Sequence, residues 1–231
     1  MSRLHAARLY AILDLGYTPE ERAEDVTASL LAGGADLLQL RAKNHDLATI
    51  ERVARRLIPL CRAAGVPFIL NDHPALAASI GADGVHLGQH DGSLADVRRI
   101  LETDREIHSP SSFSPRPFII GRSTHSLDQA RAARAEGFDY IGFGPLFPTP
   151  TKAGRPAIGL QEIAAMEREI GEIIPAFCIG GITPEILPSV LAAGARRVVV
   201  VSALLKAENV QSATRAVKAT MSAQCGIRSA E

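Results

Sequence analysis

The chain has 231 residues, of which 46% are hydrophobic, so it is long enough for one large buried core and is neither disordered nor fibrous. Lysine plus arginine equals aspartate plus glutamate at 25 each, which excludes a global field favouring nucleic acid or an anionic membrane surface. Three widely separated cysteines without a CxxC motif exclude a disulfide framework, and the lack of a long apolar run predicts a cytoplasmic protein that contacts no membrane.

Short apolar runs alternate with helical patterns along the whole chain. The runs that predict strands are Arg8–Leu13, Asp36–Leu40, Pro67–Asn71, Gly84–Leu87, Phe118–Gly121, Tyr140–Phe143, Ala176–Ile179 and Arg197–Val201. The clearest helical stripe consists of Ile50, Val53, Ala54, Leu57, Ile58 and Cys61. Eight βα units in strict alternation predict parallel strands, and therefore an α/β fold that is a single-domain (β/α)₈ TIM barrel.

The limits of several segments follow from the same patterns. Further helices are predicted at Leu127–Glu136, Leu160–Ile170 and Pro184–Ala193, the last with Thr183 as its N-cap. The Ser- and Pro-rich segment 103–117 predicts a surface loop in front of the fifth strand. We expect residues 1–222 to form the barrel as a catalytic domain, and residues 223–231 to form a flexible C-terminal tail.

Segment 139–154, DYIGFGPLFPTPTKAG, begins as a strand and becomes a stiff loop, because its three prolines cannot continue a strand or a helix. Gly142 and Gly144 are expected where a side chain would obstruct a neighbouring backbone. The polar residues of the loop are Thr149, Thr151 and Lys152. Hydroxyls and an ammonium on a rigid loop suit a phosphate, although the loop composition alone favours a solvated surface turn.

Polar residues after the other runs would lie at the C-terminal rim, where such barrels place their active sites. They are Gln39, Arg41, Lys43, Asn71, Asp72, His86, Gly88, Gln89, Asp91, Arg122, Ser123, His125, Gly180, Gly181 and Ser202. Asp72 and Asp91 are candidate Mg²⁺ ligands, because Mg²⁺ takes one or two carboxylates together with phosphate oxygens, whereas singly each also suits a turn. Glycines after the seventh run and Val201-Ser202 after the eighth suit a second phosphate. Two anion sites predict two phosphorylated small-molecule substrates.

Histidines at this rim have two interpretations. His86 and His90 form an HxxxH pattern, but at a strand end this spacing does not direct both rings to one side, so zinc is not favoured. His125 suits either hydrogen-bonding support or proton transfer, and the sequence leaves both open.

From about Leu9 to Thr220 the chain resembles the thiamine-phosphate synthase family. The motifs that carry the resemblance are QLRAK from Gln39, Asn71-Asp72, GVHLGQHD ending at Asp91, GRSTH around Ser123, GFGPLFPTPTK, GGI from Gly180 and Val201-Ser202. The resemblance implies a transferase that joins 4-amino-2-methyl-5-(diphosphooxymethyl)pyrimidine to hydroxyethylthiazole phosphate, giving thiamine monophosphate and pyrophosphate by a dissociative, Mg²⁺-assisted mechanism.

The same resemblance implies roles for individual residues. The pyrimidine diphosphate would be held by Gln39, Arg41, Lys43, Asn71, Ser123 and Lys152. The thiazole phosphate would be held by Thr149, Thr151, Gly180, Gly181, Val201 and Ser202, and Mg²⁺ by Asp72 and Asp91. The implied catalytic residues are Arg41, Lys43, Ser123 and Lys152. The family commonly has Glu at Ala42 and often Asp at Ala75, departures that bear on the hydrogen bonding around Lys43 and Asp72.

Two other functions stay open on the sequence. A homologous thiazole tautomerase shares the barrel and would use His125 for proton transfer, and a catalytically silent protein could bind phosphate ligands only. Lys43, Asp72 and the intact TPTK loop favour the synthase, because a tautomerase has no diphosphate to ionise. The sequence also leaves open whether copies of the chain form a homo-oligomer.

Overall fold

The computed structural model describes residues 3–107, 117–149 and 156–228, which form a closed barrel of eight parallel strands in sequence order. The strands are β1 (Leu9–Asp14), β2 (Leu37–Arg41), β3 (Phe68–Asn71), β4 (Gly84–Leu87), β5 (Ile119–Thr124), β6 (Tyr140–Phe143), β7 (Ala176–Cys178) and β8 (Val198–Val200). The described α-helices are α1 (Arg3–Ala6), α2 (Ala23–Ala32), α3 (Leu47–Ala64), α4 (Pro74–Ser79), α5 (Leu94–Ile107), α6 (Leu127–Glu136), α7 (Ile163–Met166), α8 (Leu187–Ala192), α9 (Ser202–Leu205) and α10 (Val210–Arg228). The predicted (β/α)₈ barrel is confirmed.

Strand residues alternate between the barrel interior and the surrounding helices, because successive side chains of a strand point to opposite faces. The interior cluster includes Leu37, Ile69, Phe177 and Val199 together with two tyrosines, and Leu4 of α1 joins it. The residues between these positions pack with the helices in a second, larger cluster. The fold therefore has a core inside the barrel and a core around it.

Three aspartates clasp neighbouring strands at the N-terminal end of the barrel. Asp36 donates its backbone N–H to the carbonyl of Leu9 at 2.9 Å and accepts the amide of Leu9 on Oδ2, also at 2.9 Å. The same two bonds join Asp83 to Phe68 and Asp139 to Ile120. These clasps pair β1 with β2, β3 with β4 and β5 with β6. The corresponding residue before β8 is Arg197, and β7 and β8 are in register only at Cys178 and Val198.

The helices largely follow their predicted patterns. The stripe on α3 is confirmed as its buried face, and α6 has its predicted limits, with Ser126 as N-cap and left-handed Gly137 ending it. The helix predicted at 160–170 is instead the single turn α7 followed by a π-helical turn at Glu167–Gly171. The wider turn begins at buried Glu167, whose carboxylate accepts the backbone amide of Arg196 at 3.0 Å.

Other helix limits differ from those predicted. Helix α8 begins at Leu187 rather than Pro184, because a turn comes first, in which Thr183 Oγ1 accepts from Ile186 N at 3.4 Å. Helix α5 continues to Ile107, inside the predicted loop 103–117, whose residues 108–116 lie outside the described ranges. Helix α10 passes residue 222 and reaches Arg228. Neither it nor any other described helix is long and apolar enough to cross a membrane.

Candidate active site

A cavity of about 270 Å³ lies at the C-terminal ends of the strands. The predicted binding residues that line it are Gln39, Arg41, Asn71, Ser123, Thr149, Gly180, Gly181, Val201 and Ser202. Residues assigned to both predicted substrates thus face one space. Thr151 and Lys152 lie outside the described residues.

Strand β5 runs three residues beyond its predicted end, to Thr124, so Arg122 and Ser123 belong to the strand and face opposite sides. Ser123 lines the cavity. Arg122 turns outward, donates to the carbonyl of Gly92 at 2.6 Å and places its guanidinium carbon 5.2 Å from the ring centre of Phe138. Arg122 therefore does not line the cavity, and instead holds the loop after β4 that carries Asp91.

Two carboxyl groups and an ammonium meet beside the cavity. Lys43 Nζ lies 3.3 Å from Asp72 Oδ2, and Asp72 is hydrogen-bonded to Asp91. Asp91 Oδ2 accepts the amide of Gly88 at 2.7 Å, which fixes this carboxylate against its own loop. Asp72 has a left-handed backbone (φ 60), a conformation that aspartate tolerates better than most residues. Asp72, Asp91 and Lys43, which the sequence places on one rim, thus lie in contact with one another.

The two carboxyl groups differ in acidity. Burial raises the pKa of Asp72, and the adjacent Asp91 raises it further, against the opposing charge of Lys43. Burial also acts to raise the pKa of Asp91, but hydrogen bonds from Asp72 and from the Gly88 amide outweigh it and lower that pKa. Of the two carboxyl groups, Asp72 is therefore the weaker acid and Asp91 the stronger.

The two departures from the family pattern leave this group intact. Ala42 is buried against the outer core, and Ala75 is exposed on α4. The ion pair between Lys43 and Asp72 forms without an acidic side chain at either position.

Strand β1 contributes a rim residue that the sequence prediction missed. Asp14 ends β1 in register with Arg41 of β2, and the guanidinium of Arg41 donates to its carboxylate. The other oxygen of Asp14 accepts the amide of Gly16 at 2.9 Å. Because Arg41 also lines the cavity, Asp14 determines which way this cation points.

A chain of buried polar groups crosses the barrel interior beneath the cavity. Gln39 Nε2 donates to the hydroxyl of Tyr10, which lies 2.9 Å from the hydroxyl of Tyr140. His86 Nδ1 lies 3.0 Å from the Tyr140 hydroxyl, and Nε2 lies 2.9 Å from Ser123 Oγ. Both ring nitrogens of His86 thus have partners within the protein. In the sequence, only the polar residues within strands pointed to this chain.

The glycines of β6 serve different purposes. A Cβ on Gly144 would lie 2.1 Å from the carbonyl oxygen of Ile179, so only glycine fits, as predicted. A Cβ on Gly142 would lie 3.6 Å from His86, an ordinary contact, so the predicted obstruction at Gly142 is wrong. Gly142 instead lines the cavity and leaves it open.

The described part of the Pro-rich loop packs on the turn after β7. Phe147 donates its amide to the carbonyl of Gly180 at 3.1 Å. Gly180 and Gly181 both have left-handed backbones, and a Cβ on Gly180 would lie 2.5 Å from Pro145, so the close approach requires glycine. Within the described part of the chain, no acceptor takes the amide protons of Gly180 and Gly181. Both glycines line the cavity.

His125 lies at the edge of this region and outside the lining of the cavity. Its Nδ1 is hydrogen-bonded to the carbonyl of Gly144, and its backbone amide donates to Gln129 at 2.8 Å. The ring is thereby tied to the strand end from which the Pro-rich loop departs. Of its two interpretations, this geometry favours support of the loop.

Sequence and structure comparisons agree on one family. A model described as thiamine monophosphate synthase matches residues 9–204. The thiamine-phosphate synthase of Thermus thermophilus is 43% identical over 198 residues, covering 86% of this chain and 88% of that protein, and that of Methanocella arvoryzae is 39% identical, covering 93% and 94%. A solved thiamine phosphate pyrophosphorylase from Pyrococcus furiosus superposes with a TM-score of 0.77 at 30% identity, covering 96% of this chain and 98% of that one.

Proposed function

Because the chain belongs to the thiamine monophosphate synthase family, and is accordingly a transferase, we propose that it couples the pyrimidine diphosphate to the thiazole phosphate with release of pyrophosphate. The observation that carries this proposal is that residues proposed for each of the two substrates line one shared cavity. Shared enclosure brings the exocyclic carbon of the pyrimidine and the nitrogen of the thiazole together, and such positioning can supply a large part of the rate advantage of a two-substrate enzyme.

The diphosphate would lie against the cationic side of the cavity. Arg41 is oriented there by Asp14, and Lys43 lies beside it at the rim. Gln39 and Ser123 lie deeper, at the two ends of the buried polar chain, and would contact the pyrimidine ring. The negative tail would thus be held near water, and the neutral ring would be enclosed.

The residues present fit a magnesium ion. The side chains of Asp72 and Asp91 are hydrogen-bonded to each other, so one divalent cation could contact both carboxylates and neutralise them. Among the described residues there is no group of three or more His, Cys, Asp or Glu side chains that could enclose a metal. Two carboxylates suffice for Mg²⁺, which completes its shell with water and substrate phosphate. When bound, the ion would neutralise charge on the departing diphosphate.

The side chains of the protein would act on the same developing charge. As the exocyclic C–O bond breaks, negative charge grows on the diphosphate, and Arg41, Lys43 and Lys152 would stabilise it more strongly than they stabilise the intact substrate. The resulting pyrimidinylmethyl cation would be captured by the thiazole nitrogen. No protein nucleophile is required for this dissociative reaction.

The thiazole phosphate would lie at the opposite end of the cavity. Gly180 and Gly181 line it after β7, and Val201 and Ser202 line it from the end of β8. Backbone donors in left-handed turns are well suited to phosphate oxygens. This end binds the group that does not react and so sets the position of the thiazole ring.

The rival functions have less support in the geometry. A tautomerase would need its proton-transferring imidazole in the cavity, whereas His125 is not among the residues that line it. A silent phosphate binder would have no use for an acidic pair opposite the cations.

The test is an assay of pyrophosphate release with both purified substrates, each substrate alone, and both in the presence of a chelator. We expect release only with both substrates, lost on chelation and restored by Mg²⁺. Isomerisation of thiazole carboxylate phosphate without coupling would indicate a tautomerase. Binding of either phosphorylated substrate without turnover would indicate a silent binder. Coupling that persists in the chelator would remove Mg²⁺ from the proposal.

A further inference from the structure

Residues 88–92, which we call the β4 loop, lie between β4 and α5 and carry Asp91. The loop has the sequence Gly-Gln-His-Asp-Gly, so it contains no apolar side chain that could anchor it in the core. Its two glycines add backbone freedom, and Gly92 has a left-handed backbone (φ 99). The position of Asp91 therefore depends on polar contacts that hold the loop.

Strand β5 supplies such contacts, mainly through Arg122. One guanidinium nitrogen donates to the carbonyl of Gly92 at 2.6 Å, and another donates to the carbonyl of Gln89 at 3.1 Å. The side chain of Gln89 in turn donates to the carbonyl of Ser123. Arg122 is in register with Leu87, the last residue of β4, so its side chain begins beside the point where the loop leaves the strand.

The guanidinium of Arg122 is itself held in place. Its carbon lies 5.2 Å from the ring centre of Phe138, a residue that is only 1% exposed. A planar fork of donors can reach two carbonyls while it lies over a ring, which the compact ammonium of a lysine does not reproduce. Because these carbonyls belong to Gln89 and Gly92, Arg122 fixes the backbone on both sides of Asp91.

The opposite side of the β4 loop faces the other proposed metal ligand. The carboxylate of Asp91 accepts the amide of Gly88 at 2.7 Å and is hydrogen-bonded to Asp72, which follows β3. The two carboxyl groups thus come from separate segments of the chain. Their spacing depends on how the β4 loop is held.

We propose that Arg122 is a positioning residue for the divalent-cation site, which holds Asp91 against Asp72 through the backbone of the β4 loop. The inference rests on the magnesium site of the proposed function. Arg122 does not line the cavity, so it acts through the loop rather than on the substrates. It prepares the two carboxylates for the ion, which would then bind without first ordering the loop.

The charge of Arg122 would by itself have the opposite effect. This positive charge lies close enough to act on Asp91, and it would repel a divalent cation bound there. If Arg122 acted only through its charge, removing that charge would strengthen cation binding. If Arg122 acts by holding the loop, removing its side chain weakens binding instead. The sign of the change in affinity therefore separates the two roles.

The experiment measures binding of Mn²⁺, a probe for Mg²⁺ at carboxylate sites, without substrates. Electron paramagnetic resonance of free Mn²⁺ gives Kd for wild type, Arg122→Gln, Arg122→Lys and the control Arg134→Gln. The control removes the same charge and a donor to a backbone carbonyl elsewhere. Residues that orient metal ligands typically contribute about 10- to 100-fold to affinity, so Arg122→Gln should raise Kd about 10-fold. Arg122→Lys keeps the charge without the fork and should raise Kd by a smaller factor, and Arg134→Gln should leave it unchanged.

Hydrogen exchange of the metal-free protein and steady-state kinetics provide two further readouts. The amides of Gly88 and Asp91, which are hydrogen-bonded within the loop, should exchange faster in Arg122→Gln. The Mg²⁺ concentration for half-maximal rate should rise in this variant, while kcat at saturating Mg²⁺ approaches that of wild type. A thermal melt checks the fold, and Arg122→Lys carries the comparison if the glutamine variant does not fold.

An unchanged or lower Kd in folded Arg122→Gln, or in Arg122→Lys where the glutamine variant does not fold, would overturn the positioning role. The proposed metal site would still stand in that case, provided that Asp91→Ala loses Mn²⁺ binding in the same assay. Wild-type binding of Mn²⁺ that is absent or does not depend on Asp91 would overturn the metal site and the positioning role together.

Discussion

Replacing Asp14 by asparagine should show how much the stability of the protein and its binding of the diphosphate depend on the ion pair between Asp14 and Arg41 at the rim of the cavity. The Asp14 side chain is 3% exposed and that of Arg41 is 15% exposed, so the pair is almost fully removed from water. Asparagine has nearly the same size and can still accept the amide of Gly16. The substitution therefore removes one charge and little else, and leaves the Arg41 guanidinium without its neutralising partner.

The expected loss of stability follows from this burial. Removing one member of a buried ion pair typically destabilises a protein by 3–5 kcal/mol, because an uncompensated charge stays behind. Arg41 faces an open cavity and can recruit water, so we expect about 3 kcal/mol. For a chain of this size that corresponds to a decrease of roughly 6–12 °C in Tm. The released guanidinium should also bind the diphosphate less well, raising KM for that substrate about 10-fold.

A matched control is available on the surface. Asp128 pairs with Arg131 at 2.8 Å, as close as a buried pair, but its side chain is 90% exposed. Asp128→Asn should change the free energy of unfolding by no more than ~0.5 kcal/mol, because water screens the exposed pair. Urea denaturation and steady-state kinetics on both variants complete the comparison. Equal stabilities, together with an unchanged KM in Asp14→Asn, would refute the view that Asp14 orients Arg41.

The remaining predictions concern groups at the rim and the loop. Asp72→Ala and Asp91→Ala should each abolish most turnover while circular dichroism shows an intact fold, because each removes a proposed metal ligand; near wild-type rates at low Mg²⁺ would contradict the assignment. Lys152→Ala should lower kcat more than it raises KM, and a change in KM alone would restrict it to ground-state binding. Thr149→Val should instead weaken mainly the thiazole phosphate, seen as a higher KM for that substrate. His125→Asn should retain substantial coupling, whereas a loss of ~10²- to 10⁴-fold would indicate general acid–base catalysis.

The architecture was predictable because the signals that define it are local. Strands β4 and β6 and helix α6 have the predicted limits, since apolar runs bounded by glycine and by a capping serine mark them in the sequence. Strand β5 was cut short because its last residues are polar. In a barrel those residues face a cavity inside or solvent outside, so the apolar run is shorter than the strand.

The site was predictable only where motifs named it. Residues of QLRAK and GRSTH line the cavity as expected, but Asp14 lies 27 positions from Arg41 and its apolar run ended at Leu13. The parallel register of β1 with β2 is what brings the pair together. The links of Tyr10 to Tyr140 and of Tyr140 to His86 join strands that are not neighbours, so no sequence period could have indicated them. Predicting these contacts requires both the register of the strands and the closure of the barrel.

The unequal pairing of the strands gives the barrel a seam. Three of its strand pairs are clasped by aspartate, whereas β7 and β8 share one register position and have Arg197 in place of the clasp. Gly180 and Gly181 follow β7, and Ser202 follows β8, so these residues lie on the two sides of the seam at the C-terminal end of the barrel. A phosphate bound by the glycine pair and by Ser202 would link β7 to β8 across this seam. At a ligand concentration 100 times its Kd, such binding would stabilise the folded protein by about 2.7 kcal/mol. Protection of backbone amides from hydrogen exchange should then increase first along the edges of β7 and β8, so that the thiazole substrate completes the wall of the barrel that encloses it.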